Sequence, residues 1–123
     1  MKVGLFAVSS TLARQLEIGK GMALQLSSLL GEIKGDLKVP DLIMNAEAAE
    51  DATKDSRDEI SGAIVAVATG GTERSIRAIV TNLGKPILIL ANPFNNSLAS
   101  SLEAYAILRE QGLAVKLFYS PLD

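Results

Sequence analysis

The chain predicts an α/β domain built on a parallel sheet, and three observations carry that expectation. Apolar runs rich in Ile, Val and Leu, each too short for a helix, recur along the 123 residues; amphipathic segments of helical length separate them; and the runs end in turns of Gly, Asn, Ser and Pro. Strands covered by helices on both faces read as near-continuous apolar runs rather than as alternating ones. The clearest unit is Ala63 to Asn96, AIVAVATGGTERSIRAIVTNLGKPILILANPFNN, which reads as strand, glycine turn, helix, strand and polar loop.

Taken in order, Lys2 to Ser9 opens the sheet through Val3, Leu5, Phe6, Ala7 and Val8, and Ser9-Ser10-Thr11 offers hydroxyl N-caps to a helix. From Thr11 to about Gly35, the residues Leu12, Leu16, Gly19, Ala23, Leu26, Leu30 and Ile33 recur at spacings of four and three, a single helical stripe. At about 1.5 Å per residue that helix would span roughly 35 Å, about twice the length of an ordinary strand. It must break, at Gly19, Gly21 or Gly31, or project beyond the domain. Ile18, Met22 and Leu29 form a second apolar line on it, read either as wider core contact or as a face packed against another subunit.

Leu37 to Met44 is expected as a second strand interrupted by Pro40, which suits an edge position. Glu47 to Ile60 reads as a charged helix anchored weakly through Ala48, Ala49, Ala52 and Ile60. Ala63 to Ala68 is the third strand. The helix that follows, from Thr72 or Glu73 to Leu83, carries a core stripe of Ile76, Ile79, Val80 and Leu83, points Arg74 and Arg77 outward, and stops at Gly84. Pro86 to Ala91 is the fourth strand. Ser97 to Gln111 is a helix expected to turn Leu98, Leu102, Ala106 and Leu108 inward and to end at Gly112, and Val115 to Tyr119 closes the sheet. With right-handed crossovers this alternation predicts one domain over 1–123: a three-layer, five-stranded parallel sheet of flavodoxin-like order 2-1-3-4-5.

Composition narrows the chemistry. The sequence contains no His and no Cys, so His-dependent triads, imidazole or thiolate metal sites, phosphohistidine and disulfides cannot be formed by these residues. A formal net charge of −2 gives no electrostatic reason to expect nucleic acid or an anionic membrane as partner. Nine of the fourteen acids lie between Glu32 and Glu59, a segment read as a solvated face or an acidic docking surface. The amino-terminal apolar run is too short to span a membrane and reads as a strand rather than a signal peptide, so a cytoplasmic location is expected.

In a parallel sheet the turns after the third and fourth strands share the carboxyl edge, where open α/β folds hold ligands. Gly70 and Gly71 could free backbone N–H groups at a helix start, or simply reverse the chain. Thr72 could cap that helix, and Glu73 could complement its dipole. A carboxylate there disfavours phosphate and suits hydroxyl groups. Asn92, Asn95, Asn96 and Ser97 place neutral donors and acceptors at the neighbouring strand end, although turns and caps also favour Asn and Ser. Ser9 and Ser10 end the first strand beside Gly70 and Gly71. The nine residues Ser9, Ser10, Gly70, Gly71, Thr72, Glu73, Asn92, Asn95 and Asn96 form the candidate ligand site, with no cofactor, metal or catalytic residue assigned. Receiver-type phosphorylation is disfavoured because Ser9-Ser10 and Thr69-Gly70 stand where acids are required. Flavin binding is disfavoured by the missing phosphate loop and by having only two Tyr and three Phe.

The stretches AIVAVATGGTE, KPILILANPFNNSLASSLEAYAILREQG and VKLFYSP resemble the amino-terminal region of L-fucose isomerase-like and L-arabinose isomerase-like sugar isomerases. The likeness covers Ala63 to Pro121 and is most specific at Gly70-Gly71-Thr72-Glu73 and from Asn95 through Glu103. It implies a flavodoxin-like layer that assists assembly and substrate access, with the divalent metal and its ligands supplied by later domains. The expectation is then a domain, incomplete as an enzyme, that binds a sugar-like molecule. It would form a homo-oligomer through the long first helix or dock to a partner bearing the metal-binding domains. Two other readings stay open: an autonomous enzyme using Glu73 as acid/base with Ser9, Ser10 and Asn92 positioning substrate, and a purely structural assembly module.

Overall fold

Short β-branched and leucine-rich runs become strands here because both of their faces can be buried. The computed structural model describes residues 3–10, 20–21, 37–38, 42–54, 56–93 and 95–119. Four strands of five or six residues, β1 (Val3–Val8), β3 (Gly62–Val67), β4 (Ile87–Ala91) and β5 (Val115–Tyr119), pair in parallel side by side. A two-residue β2 (Leu37–Lys38) lies against the outer side of β1, giving the order β2-β1-β3-β4-β5. The parallel α/β architecture is compatible with a flavodoxin-like kind of fold. Of the expected strand from Leu37 to Met44, Leu37 and Lys38 pair with β1 and Ile43 makes an isolated parallel bridge to Val8, while 39–41 lie outside the described residues. Pro40 itself lies outside the described residues.

Three described helices follow β2, β3 and β4: α1 (Ala46–Lys54), α2 (Glu73–Leu83) and α3 (Ser97–Glu110). The predicted long helix falls almost wholly outside the described residues, as do Ile18, Met22, Leu29 and the subunit contact assigned to them; Lys20 and Gly21, which are described, are helical and exposed. α1 is shorter than the expected Glu47 to Ile60. It starts where the Asn45 Oδ1 accepts the Ala48 N–H at 2.7 Å, and the chain turns over 56–59 after it, so Ile60 reaches the core from outside the helix.

The main core joins one face of the sheet, Phe6, Val8, Val65, Val67, Ile89 and Val115, to Ala49 of α1, to Ile76, Ile79, Val80 and Leu83 of α2, and to Ala104 and Leu108 of α3. α2 thus buries the stripe its spacing predicts, although Arg77 is half-buried rather than fully outward. Its end is set by Gly84 in the left-handed region at φ 59°, whose N–H returns to the Val80 carbonyl.

α3 departs from expectation. Its buried residues are Ser97, Ser100, Ser101, Ala104 and Leu108, whereas Leu102 is 48% exposed and Ala106 is exposed. Of the residues expected inward, Leu108 is buried and Leu98 half-buried; Leu102 and Ala106 were misplaced because small hydroxyl residues can be buried once their O–H is satisfied. Ser101 donates to the Ser97 carbonyl at 2.7 Å within the same helix, which leaves a narrow face that sits close to the sheet. The helix terminates as predicted around Gly112 (φ 79°), whose N–H bonds the Arg109 carbonyl while the Leu113 N–H bonds that of Leu108. Among the described residues, no helix is long and apolar enough to cross a membrane.

Candidate functional site

Parallel pairing of β1, β3 and β4 brings the turns after them to one rim. The turn after β3 is joined directly to the loop after β4. The Gly70 N–H donates to the Asn95 carbonyl at 2.6 Å. A Cβ at Gly70 would lie 2.6 Å from the Asn96 Cβ and 3.1 Å from the Asn96 carbonyl oxygen, so only glycine lets the two turns approach this closely. Gly71 does a different job. Its φ of +71° needs the left-handed region, and a Cβ there would face that of Ser10 at 3.9 Å. The Ser10 N–H donates to the Thr69 Oγ1 at 2.8 Å, which ties the end of β1 to the same cluster.

The loop after β4 is held from below. Asn92 is buried, and its amide donates to the Val67 carbonyl at 2.9 Å and to that of Ala68 at 3.4 Å. The Ser97 hydroxyl accepts the Asn92 N–H at 3.1 Å and donates to the Val67 carbonyl at 2.5 Å. Asn92, proposed from sequence as a ligand contact, is therefore a staple between β3 and β4. Ser9 and Thr72 are buried as well, with the Thr72 Oγ1 donating to the Thr69 carbonyl at 3.0 Å. Thr72 stands at the N-cap position of α2 without making a side-chain cap bond.

The solvent-facing part of the rim is smaller. Gly71 and Asn96 are exposed, and Ser10, Glu73 and Asn95 are half-buried. Glu73 lies in the first turn of α2, where the positive end of the helix favours a carboxylate. Its Oε2 accepts from the Ser100 hydroxyl at 3.1 Å, and that same hydroxyl accepts the Thr72 N–H at 3.4 Å. Asn95 and Asn96 both occupy the left-handed region, at φ 55° and 59°, so the chain enters α3 through two successive strained residues with no side-chain cap bond. Among the described residues, their side-chain amides make no hydrogen bond.

The structure thus gathers all nine sequence-predicted residues at one end of the sheet, with Ser9, Gly70, Thr72 and Asn92 in its foundation and Ser10, Gly71, Glu73, Asn95 and Asn96 on its surface. Sequence reasoning missed the bridging roles of the Thr69 and Ser100 hydroxyls, and it read Ser97 as a donor and acceptor at the rim rather than as the hydroxyl that bonds Asn92 and Val67. The signal was present in the spacing of the small residues Ser97, Ser100, Ser101 and Ala104, which with Leu108 make one face of a helix. Buried side-chain donors and acceptors without a partner are absent among the described residues. The surface offers amides and a carboxylate, a donor and acceptor set suited to hydroxyl groups and poorly suited to phosphate. No three acidic side chains gather as a metal would require among the described residues. Comparison with protein-family models and with curated proteins finds no match to this chain.

Proposed function

We propose that this is a flavodoxin-like, three-layer ligand-binding domain that takes a sugar-like, hydroxylated molecule at the carboxyl rim and has no complete catalytic apparatus of its own. The resemblance to the amino-terminal layer of fucose and arabinose isomerases motivates the ligand class and the expected assembly, with a second copy or with a partner bearing metal-binding domains. The observation that carries the reading is the junction at Gly70. It sets the unbonded amides of Asn95 and Asn96 in the same polar cluster as Glu73, whose carboxylate has one oxygen committed to Ser100. Sugar hydroxyls can both donate to that carboxylate and accept from those amides.

A second reading is favoured by the internal bonding of the rim. A network that satisfies its own buried groups is what a purely structural junction between two turns would also need. Glu73 is the residue that separates the readings. A thermal-shift panel of free aldoses, ketoses and alditols is expected to raise the melting temperature of the unaltered protein, since a molecule that binds only the folded state stabilises it. Glu73→Gln is expected to lose that rise while leaving sedimentation unchanged. Absence of any sugar-dependent rise would favour the structural reading. Dissociation of an assembly by Glu73→Gln would place that side chain in an interface instead.

A further inference from the structure

Of the four large apolar side chains that stand exposed among the described residues, three, Leu102, Phe118 and Tyr119, belong to β5 and to the helix above it. β5 is the last strand in the sheet order and pairs with β4 alone among the described residues. The ladder fixes which of its backbone groups face outward. The Ile87 N–H donates to the Ala114 carbonyl at 3.0 Å while Ile87 stands in register with Val115, so Ala114, Lys116 and Phe118 turn their backbone groups to β4, and Val115, Leu117 and Tyr119 turn theirs away. The Val115 N–H is spent on the Leu113 carbonyl at 3.0 Å, which leaves the N–H groups of Leu117 and Tyr119 facing out from the edge. Val115 and Leu117 pack into the main core, so Lys116 and Phe118 lie on the other face of the sheet, Phe118 beside the half-buried Leu90. On the core face, Ser100 marks the flank of α3 that touches α2, through Glu73 and the Thr72 N–H. At about 3.6 residues per turn Leu98, Leu102 and Tyr105 fall on the opposite flank, toward β5 and its open edge.

From this juxtaposition we infer that the open edge of β5 is the interface of a homodimer, in which a second copy of this chain continues the sheet by antiparallel pairing of β5 with β5 about a two-fold axis at Leu117. The strand is complementary to itself in that register. Leu117 then stands opposite Leu117 and Tyr119 opposite Val115, so each outward N–H meets an outward carbonyl. A two-fold at Val115 or Tyr119 would leave most of the strand unpaired. Centring on Leu117 also sets Lys116 of each copy opposite Phe118 of the other, at positions between the hydrogen-bonded pairs where side chains come nearest, so the ammonium covers the ring twice over. An unrelated extended peptide would match the backbone without these two contacts. On the core face, a strand spacing of about 4.8 Å with α3 above β4 and β5 brings the two α3 helices roughly 10 Å apart, the separation at which helices pack, and Leu98, Leu102 and Tyr105 of each face the other. The two sheets run in opposite directions, so the carboxyl rims open at opposite ends of the dimer, and the interface is independent of the function proposed for them.

Sedimentation velocity of the full chain over about 5 to 500 μM is expected to show passage from monomer to dimer. Phe118→Lys, at an exposed position, should weaken the dimer about a hundredfold, because each of two symmetric contacts exchanges an attraction for a repulsion. Adding Lys116→Glu to that variant restores opposite charges across the same two contacts and should recover most of the loss, a result that only the Leu117-centred register gives. Leu102→Ser tests the other face of the interface without touching the strand and should weaken the dimer about tenfold. In amide hydrogen exchange, the Leu117 and Tyr119 N–H groups should slow as protein concentration rises, whereas that of Lys116, bonded to β4, stays slow throughout. A monomer at every concentration, a dimer indifferent to Phe118→Lys or to Leu102→Ser, or a double variant no tighter than Phe118→Lys alone overturns the proposal.

Discussion

The two ends of the strands solve opposite problems. At the carboxyl rim, polar side chains are abundant and mostly spent on one another: Ser97 bridges Asn92 to Val67, Ser100 bridges Thr72 to Glu73, and Thr69 holds Ser10. At the amino edge, where β3, β4 and β5 begin, the Ala63, Ile87 and Val115 N–H groups are bonded within the sheet and its turns, a trough of about 410 Å³ is lined mainly by apolar residues, and the exposed Arg109 and Lys116 have no side-chain partner among the described residues. A polar residue near a strand end is therefore poor evidence of a site until its bonding is known. Asn92 is chemically fit to hold a ligand and holds the sheet together; Lys116 belongs to a run that reads only as the closing strand, yet its charge is uncommitted.

Substitutions can break or sharpen this contrast. The largest loss is expected from Gly70→Val, whose side chain would collide with Asn96 and displace the Asn95 carbonyl; about 3 kcal/mol of unfolding free energy in urea is expected. Ser97→Ala should cost about 2 kcal/mol, because it leaves the buried Asn92 N–H without its acceptor and the Val67 carbonyl short of a donor. A smaller effect tests the strained entry to α3. Asn96→Ala should cost about 1 kcal/mol, since alanine tolerates the left-handed region less well than asparagine, whereas Asn96→Gly should fall within about 0.5 kcal/mol of the parent because no cap bond is lost. Smallest of all, Arg109→Ala or Lys116→Ala should leave stability within about 0.5 kcal/mol, as expected for exposed charges without partners. A large loss at Lys116, or none at Ser97, would erase the distinction between a bonded rim and an uncommitted edge.

The parallel βαβ unit was legible in the sequence because its signals are periodic: apolar runs of strand length around a stripe at Ile76, Ile79, Val80 and Leu83, stopped by Gly84. α3 was misread for a physical reason. Its buried serines satisfy their hydroxyls against the backbone and against Glu73, which sequence composition cannot reveal, so Leu102 was assigned to a core it does not enter. The meeting of the rim turns could be anticipated from strand direction. Which of its polar residues would be buried could not, because Asn and Ser serve turns, caps and ligands with the same atoms. The amino-edge trough left no mark at all, since it is made by the register of β4 against β5 and by where α3 ends.

The joint at Gly70 also bears on kinetics. With the glycine amide fixed to Asn95 and no room between the glycine and Asn96, the two turns behave as a single rigid lip rather than as hinged flaps. A guest approaching that lip would meet a surface already assembled, with little chain entropy left to surrender on contact. Association there should be a single concentration-dependent step, its observed rate climbing linearly with guest concentration and never reaching the plateau that a slow opening would impose.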